Sequence, residues 1–279
     1  MEIWYKIVDT ILPFEWTSYT FMKNALLGVI LITPLFGLLG TMVVNNKMAF
    51  FADALGHSAL TGIALGVILK IANPLWAMII FAILLSIIIV KVKEANTAST
   101  DTIIGVFSST AVALGIVILS YRGGFTKYNN YLIGDLLSIT PSDLGMLVIV
   151  AIIVMVLWCL VFNRLLITGV NESLARSKGI NTKLYMNIFT FIVAIVVTMS
   201  IQWVGVLIIS SMLVLPAASA RNISKNVRQY SIYSMLIALI SGITGLIISY
   251  FLGSASGATM VLVSSCIFFI TFIIKKLQS

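Results

Sequence analysis

Runs of about twenty apolar residues recur from one end of this chain to the other, and they limit what it can fold into. An α-helix rises about 1.5 Å per residue, so roughly 20 residues cross the hydrocarbon core of a bilayer. Runs of this length satisfy their backbone hydrogen bonds in lipid as helices rather than as barrel strands. Apolar residues make up 60% of the 279 residues and charged residues only 9%, against about 25% charged in soluble domains. The chain is therefore predicted to be an all-α, polytopic transmembrane helical bundle.

Nine spans are predicted within a single transmembrane domain, residues 1–279. Their approximate bounds are 20–44, 50–70, 74–92, 102–120, 143–163, 184–201, 203–220, 230–251 and 257–275. The count becomes ten if the first segment also inserts, and eight if one short run is re-entrant. Residues 1–17 lack the cleavage pattern of a signal peptide and are interpreted as an amphipathic, interfacial segment. Residues 131–137, in the longest external loop, are interpreted as a short interfacial helix.

The net charge of +8 is interpreted as a consequence of membrane topology, and no nucleic-acid partner is expected. When the runs are treated as spans, most basic residues lie in one set of loops: Lys47, Lys91, Lys93, Arg164, Arg176, Lys178, Lys183, Arg221, Lys225, Arg228, Lys275 and Lys276. The positive-inside rule places these loops in the cytoplasm, together with the C-terminus. An odd number of spans then puts the N-terminus outside.

Asp53 and His57 interrupt an apolar run, and His57 is the only histidine of the chain. A spacing of four places both side chains on one helix face. If this span enters from the cytoplasm near Ala49, Asp53 lies about 6 Å deep and His57 about 12 Å deep. A carboxylate and an imidazole are ligands for zinc or manganese, and ionisable groups inside a membrane usually serve function. The residues alone leave open a structural His–Asp hydrogen bond or a proton relay.

The segment 171–180, on the basic side, is predicted to form a short capped helix. Asn171 is a favourable N-cap, Glu172 suits the positive helix end, and Gly179 suits the position after the helix. Such a helix either docks into a partner protein or is a helical loop without a partner.

Ser210, Ser211 and Met212 interrupt another aliphatic run ahead of Pro216. Their oxygen and sulfur atoms are candidates for an ion path. The alternative is a proline-kinked helix whose serines bond to their own backbone carbonyls.

Several further features concern packing. Pro34 and Pro216 are expected to kink or break their helices, and Cys159 and Cys266 are expected to be buried free thiols. Close helix approach is predicted at four small residues: Ala52, Gly56, Gly62 and Gly66.

Enzymatic motifs are missing from the sequence. It contains no GxxxxGK[ST] phosphate loop and no GxSxG motif, and a single histidine rules out HExxH. The chain is therefore not expected to be an enzyme or to hold an intrinsic cofactor. Active transport would draw its energy from another subunit or from an ion gradient.

Together, in this order, five segments resemble the membrane permeases of bacterial ABC importers for zinc and manganese. The segments are GLLGTMVVNNKMAFFADALGHSALTGIALG, YLIGDLLSITPSDL, NESLARSKGIN, VGVLIISSMLVLPAASAR and SASGATMVL. In the first of them the family shows an Asp-Ala-Leu-Ser-His pattern, in which Gly56 replaces the serine. Asn45, Asn46 and Lys47 stand where arginines are common in the family. Asn171 and Ser173 replace an Asp-Pro pairing.

The resemblance implies an importer in the bacterial cytoplasmic (inner or plasma) membrane that carries zinc or manganese as its substrate. It implies a homodimer around one pathway, two cytoplasmic ATP-binding subunits that hydrolyse ATP, and an extracytoplasmic metal-binding protein. Asp53 and His57 would be the pathway metal ligands. The ATPase-coupling helix would comprise Asn171, Glu172, Ser173, Leu174, Ala175, Arg176, Ser177, Lys178 and Gly179. A secondary transporter that uses Asp53 and His57 as a proton or cation relay is the main alternative, and an intramembrane enzyme ranks below both.

Overall fold

The computed structural model describes residues 1–71, 73–94, 98–121 and 134–278, and all regular structure in these ranges is helical. The helices are α1 (Glu2–Ile11), α2 (Thr20–Asn45), α3 (Ala49–Ile68), α4 (Pro74–Glu94), α5 (Thr100–Tyr121), α6 (Pro141–Val170), α7 (Glu172–Ser177), α8 (Thr182–Val204), α9 (Val206–Ile223), α10 (Val227–Leu252) and α11 (Ser256–Gln278). Glu15–Ser18 and Leu136–Ser138 form short 3₁₀ helices.

The predicted span count is confirmed. In the described part of the chain, 8 helices are long and apolar enough to cross a membrane, namely α2 to α6, α8, α10 and α11. The ninth predicted span corresponds to α9, whose apolar part, Ile208–Ile223, is shorter. Helix α1 has 10 residues, which reach about 15 Å and cannot cross a bilayer. The first segment therefore does not add a tenth span.

One compact unit comprises Met1–Thr41, Gly134–Met155 and Ser211–Ser279. Within it α10 packs against α11 and also against α2. A Cβ atom at Gly37 of α2 would lie only 2.6 Å from the carbonyl oxygen of Ser234 in α10. The Ser234 hydroxyl donates a hydrogen bond of 2.6 Å to the carbonyl of Gly37. Small residues therefore allow α2 and α10 to approach until their backbones touch.

Helix α1 docks onto the start of α2 through its polar side. The Trp4 indole N–H donates to the Lys23 carbonyl at 2.9 Å, and the Lys23 ammonium pairs with the Asp9 carboxylate at 2.6 Å. Isoleucines spaced four residues apart form an exposed apolar stripe: Ile3, Ile7 and Ile11. Helix α1 is thus amphipathic, as the sequence predicts, and its interfacial location stays a prediction.

The other compact unit comprises Met42–Ile133 and Val156–Ser210. Helix α3 is central to it, since α3 packs against α4, α5 and α8. A Cβ atom at Gly62 of α3 would lie 2.6 Å from Met78 Cα in α4, and one at Gly66 would lie 2.8 Å from Ala77 Cβ. The predicted close approach at Gly62 and Gly66 is confirmed, and most residues of α3 are buried.

The structure narrows one packing prediction and corrects another. Helices α2 and α9 continue through Pro34 and Pro216, so neither proline breaks its helix, and a kink at either proline stays a prediction. Cys159 and Cys266 are exposed rather than buried. Apolar sequence does not imply burial within the protein for a membrane helix, because a side chain that faces lipid is apolar as well.

The predicted interfacial helix at 131–137 lies partly outside the described residues, which resume at Gly134. From there a short 3₁₀ helix, Leu136–Ser138, begins after Asp135. The Asp135 carboxylate caps it by accepting a hydrogen bond of 3.0 Å from the backbone N–H of Leu137.

Candidate metal site in a membrane span

Helix α3 carries its two ionisable residues on the one side that its neighbours leave uncovered. Most of its residues are buried, whereas Phe50, Asp53 and His57 are exposed or half-exposed. Spacings of three and four bring these positions onto one face because the helix has 3.6 residues per turn. The exposed fraction is 38% for the Asp53 side chain and 28% for the His57 side chain. The pair is therefore accessible from outside the chain.

The pair has a geometry that suits a shared cation. Asp53 Oδ1 and His57 Nε2 are 3.5 Å apart, which is longer than the 2.7–3.2 Å of a good hydrogen bond. Two ligands bound at about 2.0–2.1 Å to tetrahedral zinc lie roughly 3.3 Å apart. A cation could bind both atoms with little movement of the backbone.

Ser210 of α9 is the third polar group at this position. Its hydroxyl donates to Asp53 Oδ1 at the long distance of 3.5 Å. Of the four candidate pathway residues in this segment, Met212 and Pro216 are buried and Ser211 is partly exposed. Sequence alone could not distinguish Ser210 from Ser211, because adjacent helical residues point about 100° apart and the facing side depends on packing.

Two glycines bring Ser210 to Asp53. Gly205 adopts φ of +89° between α8 and α9, a conformation that favours glycine. It is the one residue that separates the end of α8 from the start of α9. A Cβ atom at Gly56 of α3 would lie 3.2 Å from Val206 Cγ1 at the start of α9. Because α3 and α9 run antiparallel here, the approach at Gly56 continues one turn further as the contact of Asp53 with Ser210.

One chain supplies an incomplete ligand set. Among the residues that the structure describes, no group of three or more His, Cys, Asp or Glu side chains could hold a metal ion. Asp53, His57 and Ser210 offer one carboxylate, one imidazole and one hydroxyl. Structural zinc sites have four protein ligands, and catalytic sites have three. A pair of this kind binds metal weakly unless a second set of ligands is added.

Helix α7 has the predicted capped form. The Asn171 side chain accepts a hydrogen bond of 3.0 Å from the backbone N–H of Leu174, and Gly179 adopts φ of +73° just after the helix. Glu172 and Arg176 form an ion pair of 2.6 Å along the helix. Leu174 is 48% exposed, so this short helix presents an apolar side chain at its surface.

The described helices have the lengths and apolar composition of a multi-span membrane protein. The model of the ABC 3 transport family matches residues 18–275. The "High-affinity zinc uptake system membrane protein ZnuB" of Haemophilus influenzae is 36% identical over 88% of this chain and 94% of its own length. The "Manganese import system permease protein ScaB" of Streptococcus parasanguinis is 32% identical over 94% and 93%.

Among solved structures, "PsaBC from Streptococcus pneumoniae in complex with Fab" is similar, with a TM-score of 0.81 and 28% identity. That alignment covers 98% of this chain and 95% of the other. The chain belongs to the ABC 3 transport family. Family membership confirms the predicted ABC permease of a bacterial cytoplasmic membrane and favours it over a secondary transporter.

Proposed function

We propose that this chain is the permease subunit of an ATP-driven importer of zinc or manganese. The names of the relatives from Haemophilus influenzae and Streptococcus parasanguinis support zinc and manganese as its substrates. The observation that carries the proposal is the half-exposed pair of Asp53 and His57, 3.5 Å apart in a membrane span. A metal ion passing along the pathway would be held by this carboxylate and this imidazole.

Weak binding suits that role. A transport site must attract the ion and then release it, so a full set of tight protein ligands would slow release. The chain acts as a homodimer in this proposal, and two copies facing each other would offer two carboxylates and two imidazoles. A mixed oxygen and nitrogen donor set is compatible with both zinc and manganese.

The energy for transport would come from two cytoplasmic ATP-binding subunits, and an extracytoplasmic metal-binding protein would deliver the ion. The exposed Leu174 of α7 and the ion pair of Glu172 with Arg176 form a compact knob suited to docking on such a subunit. Movement of α7 on ATP binding would be transmitted as rigid-body motion to α6 and α8, which flank it.

The proposal is tested with the double variant Asp53→Ala, His57→Ala. Uptake of radioactive zinc and manganese, each in competition with the other, is measured in cells that express the chain with its partner subunits. Uptake of the native substrate should fall to background, because both candidate ligands are gone. Ser58→Ala is the matched control, since Ser58 lies on the same helix but is fully buried and bonds only to its own helix backbone. If the double variant, expressed at the normal level, took up metal at the wild-type rate, Asp53 and His57 would not be pathway metal ligands.

A further inference from the structure

A second polar site lies at one end of the spans. Most of the basic residues of the chain are at this same end. The site is a cavity of about 480 Å³, lined by residues from the end of α2, the end of α4, the end of α6, and from α7 and α8. We call it the basic cavity. It lies at the level where a cytoplasmic leaflet presents its headgroups, because four of these helices are membrane spans that begin or end there.

The cavity lining is strongly positive. It includes four basic residues, Lys47, Lys93, Arg176 and Lys183, against one acidic residue, Glu172. Glu172 is already paired with Arg176 at 2.6 Å. Among the described residues, neither Lys47 nor Lys93 has a carboxylate within ion-pair distance. The positive charge of this lining would repel a divalent cation, so the basic cavity is not a second binding site for the metal.

A buried donor in the same lining also lacks a partner. The side-chain nitrogen of Asn45 is buried and makes no hydrogen bond. Buried amide groups are nearly always bonded, and leaving one unbonded is costly. The basic cavity thus combines unpaired positive charge with an unused neutral donor, and both would be satisfied by one ligand with several acceptor oxygens.

We propose that the basic cavity binds a phosphate group, carried by the headgroup of an anionic phospholipid or free in the cytoplasm. A phosphate accepts charge-assisted hydrogen bonds from several lysines at once. Basic pockets between membrane helices on the cytoplasmic side are suited to anionic headgroups. Because Glu172 and Arg176 of α7 also line this cavity, an occupant would hold α7 against the ends of α4 and α8. This inference does not depend on which metal is transported.

The test uses two lysines that share the same positive φ angle. Lys47 and Lys70 both adopt φ of +54°, and Lys70 lies at the other end of α3. Glycine suits that conformation, so Lys47→Gly and Lys70→Gly should both leave the unfolding temperature unchanged or higher. Only Lys47→Gly removes a charge from the basic cavity. We expect it to weaken phosphatidylglycerol binding to the purified full chain by about tenfold, with no change in Lys70→Gly.

Native mass spectrometry of the chain, titrated with phosphatidylglycerol or with zwitterionic phosphatidylcholine, measures this affinity. Inorganic phosphate is the second arm: it identifies the source as free phosphate if it binds alone and displaces the lipid. Binding of either the lipid or free phosphate supports the proposal if Lys47→Gly weakens that binding and Lys70→Gly does not.

Asn45→Leu provides an independent check. It removes the unbonded amide, so the unfolding temperature should hold or rise while phosphate or lipid binding weakens. If Asn45 had a purely structural role, Asn45→Leu would not weaken phosphate or lipid binding while the unfolding temperature held or rose.

Three results would overturn the inference. The first is equal affinity for phosphatidylglycerol and phosphatidylcholine with no binding of inorganic phosphate. The second is equal weakening in Lys47→Gly and Lys70→Gly, which would indicate diffuse surface charge. The third is loss of ATP-binding-subunit association in Lys47→Gly without any effect on lipid or phosphate, which would assign the basic cavity to a protein partner.

Discussion

The Ser210 hydroxyl lies 3.5 Å from Asp53 Oδ1, at the outer limit of hydrogen bonding. We therefore expect Ser210 to contribute little to metal binding. Ser210→Ala is expected to raise the metal concentration for half-maximal uptake by about twofold, the low end of what one neutral hydrogen bond contributes. Concentration-dependent uptake of radioactive metal checks this. Ser211→Ala, one position along the same helix, serves as the control. A loss as severe as that of the Asp53 and His57 double variant would make Ser210 a principal ligand instead.

At the same scale, glycines of α3 decide how closely other helices approach. Gly62 sits where an added methyl group would lie 2.6 Å from Met78 Cα, whereas Gly105 of α5 has nothing within 4 Å of that position. Both glycines are inside helices, so their intrinsic helix propensities match and only the surroundings differ.

This contrast predicts opposite effects for the same substitution. Gly62→Ala is expected to lower the free energy of unfolding by about 1–3 kcal/mol, because it overpacks the contact between α3 and α4. Gly105→Ala is expected to raise it by about 0.5–1 kcal/mol through the higher helix propensity of alanine. Unfolding of both variants in mixed detergent micelles measures the difference. If the two substitutions had equal effects, backbone contact at Gly62 would not be limiting.

At the scale of elements, α7 is a short helix between two long spans, and its own caps stabilise its ends. Asn171, Gly179 and the pair of Glu172 with Arg176 satisfy its ends and its surface. Leu174 contributes little to that stability because it is 48% exposed. Its apolar surface is therefore available for a docking partner.

Leu174→Ala is expected to reduce metal uptake by about fivefold or more while the unfolding temperature stays unchanged. Losing the burial of a leucine side chain at an interface costs about 1–2 kcal/mol. Uptake and thermal unfolding are measured together. Leu236→Ala is the matched control, since Leu236 is 47% exposed on the long helix α10. Equal loss of uptake in the two variants would contradict a docking role for α7.

At the scale of the whole molecule, the uncovered face of α3 is the feature that a single chain does not explain. Phe50 is 59% exposed, three residues before the half-exposed Asp53, on a helix whose other sides are packed. A second copy of the chain facing this side would cover Phe50 and complete the ligand set of Asp53 and His57.

A cysteine at position 50 tests that arrangement. In a background in which Cys159 and Cys266 are replaced by serine, Phe50→Cys is expected to be joined to its copy by a bifunctional maleimide, because in the proposed homodimer both copies would present this face to a shared pathway. Leu236→Cys in the same background is the control for random collision. Gel electrophoresis of the treated membranes gives the dimer fraction. If Phe50→Cys gave no more dimer than the control, the two copies would not face each other through α3.

Much of this architecture could be predicted from local sequence. The apolar runs predicted the spans, because backbone groups in lipid must form hydrogen bonds within the protein. Asn171 and Gly179 predicted the caps of α7. The exposure of Cys159 and Cys266 was predicted wrongly. Hydropathy does not distinguish a side chain in contact with lipid from one in contact with another helix.

The candidate metal site also has one part that local sequence predicts and another part that depends on packing between distant segments. A spacing of four determined that Asp53 and His57 share a helix face, since the helical period leaves no other arrangement. The approach of Ser210 depends on Gly56 meeting Val206 across 150 residues of chain, and no local pattern specifies which residues will meet. The basic cavity is equally non-local, because its lysines come from helix ends far apart in sequence.

The amino-acid sequence by itself determined the helices and the placement of the acid and the imidazole on one face, because each follows from the helical period or from the cost of burying polar groups in hydrocarbon. Only the tertiary structure decided which face of α3 is uncovered, which serine meets Asp53, and which lysines gather around a cavity. Those outcomes depend on packing between distant segments, where side-chain shape rather than local pattern selects the neighbours.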